Sequence, residues 1–415
     1  MGLRERLTGI AAWCLAHQVL TLIGILVISL AVRLALFSIP GYSIDQGTFT
    51  AWYNYAAEHG LGGFYDAPNW SDYPPLNVYI FWLFGKIALV TGSEPGQFLL
   101  KLPQNIFDLA TAALIFLYVR RSYSPKVALG VTALYAFNPA TIFNLAVWGQ
   151  MDSVYTFFLV GTIITLLGKR YEVSGCLFAL GVLTKPQTAI LLPVVAYVML
   201  KNGGWRRALF SSVVFWATVF VVILPFHWEN PFIFLGERYA GYFVYPYTSL
   251  NAYNFWALAG FWQPDDLTVA GLSLQMWGLV AFVIFAVIVL WLFRRRYDSG
   301  SAIFAAFLLV FGFFMLMTRM HERYLFPTLA MLALVLPLRF VPWLYGGLTA
   351  TYLFNLAYVL SVLNAGAAIP ANHWSIFILV PANFVLLLFS MEVFYRMQKA
   401  RGLGAADFPS LTWVK

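Results

Sequence analysis

Charged side chains are scarce, 10% of 415 residues, against about 25% in soluble globular chains. That shortage excludes an ordinary soluble enzyme, a disordered chain and a coiled coil. Cysteine is nearly absent: Cys14 and Cys176 are the only two, and both lie in apolar runs. A disulfide scaffold is therefore excluded, and two buried thiols are the simpler reading. Neither a short-period repeat nor a low-complexity tract is present. What the chain has in excess is apolar surface, 61% of residues, with 18% aromatic. The class that remains is an all-α polytopic membrane protein.

A helix needs about 20 apolar residues to cross the hydrocarbon core. The apolar runs predict twelve helices that cross or nearly cross, at 19–39, 99–119, 125–144, 150–168, 172–184, 187–200, 207–226, 268–293, 301–319, 324–338, 342–363 and 374–395. Two of these, 172–184 and 187–200, are short and meet at Thr184-Lys185-Pro186, where the proline breaks the helix. Leu76–Val90 follows Pro74-Pro75 and is also short, so it is expected at the interface. If it spanned, the topology after it would invert.

Short-loop lysines and arginines set orientation. On the resulting topology one side receives 18 of the 25 basic residues, among them Arg120, Arg121, Lys169, Arg170, Lys201, Arg206, Arg207 and Arg294–Arg296. That side is expected to be cytoplasmic, with both termini on it: a tip at 1–18 and a tail at 396–415. The formal charge of +8 is thereby explained by topology, and no nucleic acid partner is expected. The membrane domain is a single unit, 19–395, in the plasma membrane, with two large extracytoplasmic loops at 40–98 and 227–267. Long polar loops of this kind are more often functional than connecting.

The unusual polar residues fall on that outer face. Asp45 opens the first loop, and Asp72-Tyr73-Pro74-Pro75 closes its polar part. Gln150 and Asp152 sit in Trp148-Gly149-Gln150-Met151-Asp152, Gln187 follows Lys185-Pro186, Asn251 lies in the second loop, and His321-Glu322-Arg323-Tyr324 forms a short turn. Arginine and lysine at interfacial depth suit a phosphate whose lipid tail stays in the bilayer. A carboxylate opposite them suits removal of a proton from an acceptor hydroxyl. Each residue alone has a plainer reading. Asp45 would serve as a helix cap, Asp72 as a turn residue, Lys185 as a snorkelling side chain and Glu322 as half of a surface ion pair. Asp108, at membrane depth, is a functional candidate by position and equally a buried structural hydrogen-bonding group. His321, Glu322 and Asp152 show no recognised metal-ligand spacing, so no metal and no other cofactor are expected. Of the many loop aromatics, Trp52 and Tyr73 stand out for their nearness to the two aspartates.

In order along the chain, these segments resemble the GT-C glycosyltransferases, polytopic enzymes that use polyprenyl- or dolichyl-phosphate sugars. The branch they resemble holds the endoplasmic-reticulum glucosyltransferases of N-glycan assembly, the GPI mannosyltransferase I catalytic subunit and bacterial polyprenol-phosphate-mannose-dependent mannosyltransferases. Asp72-Tyr73-Pro74-Pro75-Leu76, Trp148-Gly149-Gln150-Met151-Asp152, Thr184-Lys185-Pro186-Gln187, Asn251-Ala252-Tyr253-Asn254-Phe255-Trp256 and His321-Glu322-Arg323 carry the likeness. The resemblance implies a GT-C fold of about 12 transmembrane helices, with interfacial helices in the first and fourth extracytoplasmic loops. It implies an inverting, metal-independent transfer of a sugar, with mannose expected, to a glycolipid or lipid-linked glycan. Asp45 would be the base, and His321, Arg323 and Lys185 would hold the donor phosphate. Asp72, Tyr73, Gln150, Asp152, Gln187, Trp52, Asn251, Glu322 and Tyr324 would contact substrate. The alternative is a secondary transporter or lipid-carrier flippase, hinted at only by Asp108 and the broken helix at Lys185-Pro186.

Overall fold

The computed structural model describes residues 12–66, 71–92, 94–240 and 245–399. The expected tip at 1–18 lies mostly, and the tail at 396–415 almost wholly, outside the described residues. The helices in order are α1 (Gln18–Leu36), α2 (Ser43–His59), α3 (Pro75–Val90), α4 (Gln97–Val119), α5 (Pro125–Ala136), α6 (Pro139–Ile142), α7 (Asp152–Leu167), α8 (Tyr171–Thr184), α9 (Leu192–Ile223), α10 (Pro231–Ala240), α11 (Leu274–Phe293), α12 (Ser299–Leu316), α13 (Phe326–Leu334), α14 (Val341–Asn364) and α15 (Trp374–Lys399). Among the described residues sheet is confined to two-residue strands. In β1 (Ser249–Leu250) and β4 (Met320–His321) the pairing is parallel; β2 (Thr268–Val269) and β3 (Leu272–Ser273) form a hairpin.

Among the described residues eight helical stretches are long and apolar enough to cross a membrane, and three more apolar helices are shorter. Each apolar run read from the sequence contains helix, but several helices are shorter than a span, and the first six residues of the 268–293 run form the β2–β3 hairpin instead. α7 and α13 are buried along nearly their whole length. A helix sheathed by protein need not match the lipid thickness. α12 is the centre of the bundle, with Ile303, Phe304, Phe307, Phe311 and Phe314 all buried. The outer helices instead present Val27, Leu209, Trp216, Val221, Val283, Val287, Val385 and Leu388 outward. This apolar exterior is the surface of a membrane protein.

The break expected at Thr184-Lys185-Pro186 is present. α8 stops at Thr184, Lys185 is extended (φ −150°, ψ 126°), and a 3-10 turn runs over Pro186–Leu191. The two spans expected at 187–200 and 207–226 are two helices, the halves of α9, separated at Gly204 where the backbone leaves the helix (φ +72°, ψ 174°). The run Leu76–Val90 lies in a 16-residue helix, α3 (Pro75–Val90), that packs closely on α2: a Cβ on Gly85 would clash with the Tyr53 carbonyl oxygen.

Asp108 has a structural partner. Arg33 of α1 donates to it through Nη2 at 2.7 Å, both side chains are fully buried, and the Tyr135 hydroxyl donates to its other oxygen at 2.6 Å. Arg33 also donates to Asn105 Oδ1 and the Ala136 carbonyl. The network ties α1 to α4 and α5 at membrane depth, the situation in which buried charges persist.

Several helices run from a basic end to the site end. α7 begins at Asp152 and ends before Lys169-Arg170; α8 returns to Lys185. α12 follows Arg294–Arg296 and leads to Thr318–Arg323. Thus the residues singled out as a candidate site lie opposite the basic loops.

Candidate active site

Five separate stretches build the site. Asp45 lies in the first turn of α2. Its Oδ2 accepts two hydrogen bonds, from Trp148 Nε1 (2.9 Å) and Gln150 Nε2 (2.7 Å). The neighbouring Gln46 Nε2 donates to the Trp148 carbonyl at 2.9 Å. Two glycines allow the approach. Gly149 turns the chain at φ +88°, and a Cβ on Gly41 would meet the Trp148 carbonyl oxygen at 2.3 Å. Before this turn, α6 widens into a π turn over Phe143–Trp148, a feature frequent at functional sites.

Asp72 and Tyr73 precede Pro74-Pro75, and Pro75 occupies the first helical position of α3. Asn77 in the next turn donates to the Thr184 carbonyl at 2.7 Å, fixing this corner to the end of α8. The second large loop is fastened to the end of α12. Asn254 Nδ2 donates to the Phe314 and Met317 carbonyls and Trp256 Nε1 to the Leu316 carbonyl, satisfying helix-end acceptors. Asp265 then holds Arg319 through two contacts, Nε to Oδ2 at 2.7 Å and Nη2 to Oδ1 at 3.1 Å. These anchors bring Leu250 into register with His321.

The result is a polar cavity of about 300 Å³, lined by Asp45, Trp52, Asp72, Tyr73, Gln150, Asn251, His321, Glu322 and Arg323, among others. A second cavity of about 240 Å³ adjoins it through Asp72, Tyr245 and His321. It carries Gln187, Arg319 and Tyr324 beside an apolar wall of Ile190, Leu250, Phe313, Met317 and Met320. Nine of the residues singled out from the sequence therefore share one cavity, and Gln187 and Tyr324 border its neighbour. Lys185 and Asp152 line neither. They form a buried ion pair, Nζ to Oδ1 at 2.5 Å, with Asn144 Nδ2 donating to the other oxygen of Asp152 at 3.3 Å. Lys185 lies over the rings of Tyr324 (4.6 Å) and Tyr155 (5.0 Å). Its contact with the site runs through Tyr324. Trp52 reaches the cavity but is 5% exposed, stacked on Phe81 and edge-on to Tyr73.

Charge is distributed unevenly. Burial raises the pKa of Asp45, opposed by the positive charge of Arg323 and by the Trp148 hydrogen bond. Burial likewise raises that of Asp72, again opposed by Arg323. Burial, reinforced by Arg323, lowers His321 to about 4. At neutral pH the imidazole is therefore uncharged, and it would meet a phosphate as a hydrogen-bond donor and not as a cation. Arg323 Nη1 lies 3.3 Å from His321 Nδ1 and donates to Glu322 Oε1 at 3.0 Å. The same Nδ1 also faces Glu322 Oε2 at 3.8 Å. Burial pushes Glu322 up, but His321 and Arg323 outweigh it and the carboxylate stays below its usual range. Arg323 is the cavity's cation, and its Nε is buried without a hydrogen-bond partner among the described residues. Among those residues no cluster of His, Cys, Asp or Glu is arranged to hold a metal.

Residues 72–228 match the family model described as dolichyl-phosphate-mannose-protein mannosyltransferase. A human relative, Dol-P-Man:Man(5)GlcNAc(2)-PP-Dol alpha-1,3-mannosyltransferase, is 28% identical over 171 residues, 40% of this chain and 37% of that protein. The chain resembles the GT-C membrane glycosyltransferases. The Archaeoglobus fulgidus oligosaccharyltransferase structure aligns with 94% of this chain and 56% of its own, at 12% identity and a TM-score of 0.44. The chain thus spans little more than a third of the human relative's length and just over half of the archaeal chain's. The matched stretch carries three of the GT-C-like segments, those at Asp72, Trp148 and Lys185. Asp45, Asn251 and His321-Glu322-Arg323 lie outside it and are joined to it by the fold.

Trp148, Tyr245 and Trp262 also line the polar cavity. Trp148 stood inside a quoted segment without a role. Trp262 carries no sequence signal, since its place depends on how the second loop folds back.

Proposed function

We propose that this chain is an inverting glycosyltransferase that moves a sugar, mannose, from a polyprenyl-phosphate donor to a hydroxyl of a glycolipid or lipid-linked glycan. The reading is carried by one observation: Asp45 and Arg323, 278 residues apart in the sequence, line the same polar cavity. Asp45 takes the proton of the acceptor hydroxyl as its oxygen bonds to the anomeric carbon. The bond from that carbon to the phosphate oxygen breaks on the opposite side, and its electron pair leaves with the polyprenyl phosphate.

The base needs a pKa nearer the working pH than that of a free carboxylate, and burial moves Asp45 in that direction. Two donors on a single oxygen, Oδ2, hold the carboxylate in place. Arg323 answers the negative charge on the leaving phosphate, and its unpartnered Nε is a donor awaiting an acceptor. Neutral His321 adds an N–H donor at the join between the two cavities. The apolar wall of the second cavity suits the first isoprene units of the donor. Asp72 and Gln150 orient sugar hydroxyls. The site faces the extracytoplasmic side of the plasma membrane, which the basic loops at the opposite helix ends support. The transporter reading loses its mid-membrane acid, because Asp108 is paired with Arg33.

The test is transfer from radiolabelled polyprenyl-phosphate mannose by purified protein. Asp45→Asn should lower turnover by about 10²–10⁴-fold, the usual contribution of a general base. Turnover equal to the unaltered protein would remove Asp45 from that role.

A further inference from the structure

We propose that Trp262 is the stacking platform for a pyranose ring of the acceptor, a sugar subsite on the second large loop. The inference rests on the transferase reading above and narrows its acceptor to a sugar-bearing molecule.

The polar cavity has two kinds of aromatic lining. Trp52 is stacked on Phe81, meets Tyr73 edge-on and is buried in the core. Trp262 is 42% exposed, yet it lines the cavity that holds Asp45. Its indole N–H donates to Asn251 Oδ1 at 3.1 Å, and its backbone N–H donates to the Ser249 carbonyl at 2.9 Å. With both donors engaged inside the protein, what Trp262 offers the cavity is ring surface. Tyr245 meets it edge-on (6.4 Å, 86°) and Tyr247 at a tilt (5.4 Å, 59°), so neither covers its face in parallel.

The backbone points the same way. Trp262 adopts a left-handed conformation, φ +58°, which bulky side chains rarely take, and its partner Asn251 does so at φ +65°, ordinary for asparagine. A tryptophan held in that conformation marks a strained point in the cavity wall. A pyranose has one face of C–H groups and a rim of hydroxyls. The electron-rich indole face attracts the former; Asp45, Asp72 and Gln150, which line the same cavity, accept from or donate to the latter. Trp262 borders the cavity with Asp45 and not the adjoining apolar one. That places the ring it holds on the acceptor side, where the attacked hydroxyl must meet Asp45.

A pyranose ring also enters with the donor, and the experiment separates the two sources. The probe is octyl α-D-mannopyranoside with full-length protein in nanodiscs, followed by saturation-transfer NMR and by transfer kinetics with polyprenyl-phosphate mannose. Saturation should reach the probe's ring protons. Trp262→Ala should weaken binding about tenfold, the scale of one aromatic stacking contact, while Trp262→Phe, which keeps a ring at that position, retains most of it. In kinetics Trp262→Ala should raise KM for the octyl mannoside by about the same factor and leave the donor KM unchanged. Equal binding by Trp262→Ala and unaltered protein overturns the proposal, as does an effect confined to donor KM. Trp262-dependent ring contact with no transfer from any polyprenyl-phosphate sugar sustains the platform and removes the transferase reading instead.

Discussion

Lys185 Nζ lies 2.5 Å from Asp152 Oδ1, and the two side chains are 6% and 1% exposed. A buried pair of this kind is a weak source of net stability but a costly one to break, because removing one member leaves the other charged and unpaired. The pair also sets where Lys185 stands over Tyr324, at the edge of the second cavity. Asp152→Asn should therefore destabilise the protein by about 3–5 kcal/mol, read as a lowered Tm in detergent. The double variant Asp152→Leu with Lys185→Met should recover most of that loss. If Asp152→Asn leaves Tm unchanged, the pairing carries no structural load and Lys185 is available for substrate.

Trp148 and Gln150 both donate to Asp45 Oδ2, and a hydrogen bond to a carboxylate favours its charged form. Burial already raises the Asp45 pKa above that of a free carboxylate. A base must be deprotonated to act, so transfer should fall as pH drops through that raised value. Trp148→Phe removes one donor and raises the pKa further. Its acid limb should move to higher pH, with the plateau rate above the limb less affected. A pH profile of kcat/KM for the two proteins measures the displacement. A limb that moves to lower pH, or stays in place, contradicts the role given to Trp148.

Much of this architecture was legible from residue types and spacing. Scarce charge and long apolar runs identify a helical membrane protein. Pro186 announces the end of α8, and the bias of Arg and Lys sorts Asp45, Asp72, Gln150 and His321 onto one side. What was not legible depends on contacts between segments far apart in the chain. Lys185 pairs with Asp152 across 33 residues, so an expected phosphate ligand is engaged elsewhere. The parallel pairing of Ser249–Leu250 with Met320–His321 has too few residues to leave an alternating pattern. Span lengths were overestimated where α7 and α13 are sheathed by protein. Trp262 was invisible because its exposure and its left-handed backbone are properties of the folded loop. The charge state of His321 follows from burial beside an arginine, which a sequence does not report.

That last residue carries a prediction about stability. His321 has a folded pKa of about 4 against 6.5 for an ordinary histidine, through burial first and Arg323 second. Above pH 6.5 the imidazole is neutral in both folded and unfolded chains and contributes nothing to the pH dependence. Between 6.5 and 4 the unfolded chain takes up a proton that the folded site refuses, so acidification favours unfolding. The full displacement corresponds to a loss of about 3 kcal/mol, each pKa unit being worth about 1.36 kcal/mol. Asp45 and Asp72 oppose this slope, since their raised values make the folded state the better proton acceptor just above the ordinary carboxylate range. The low value of Glu322 adds to the acid loss only at lower pH. The comparison that isolates His321 is therefore the difference between the unaltered protein and His321→Gln, whose side chain does not titrate. The unaltered protein should lose Tm relative to the variant as pH falls from 6.5 to 4.5, and the gap should be constant above pH 7.5. Parallel curves across the acid range would mean that the folded imidazole accepts its proton as readily as the unfolded one, and the phosphate would then meet two cations at this corner instead of one.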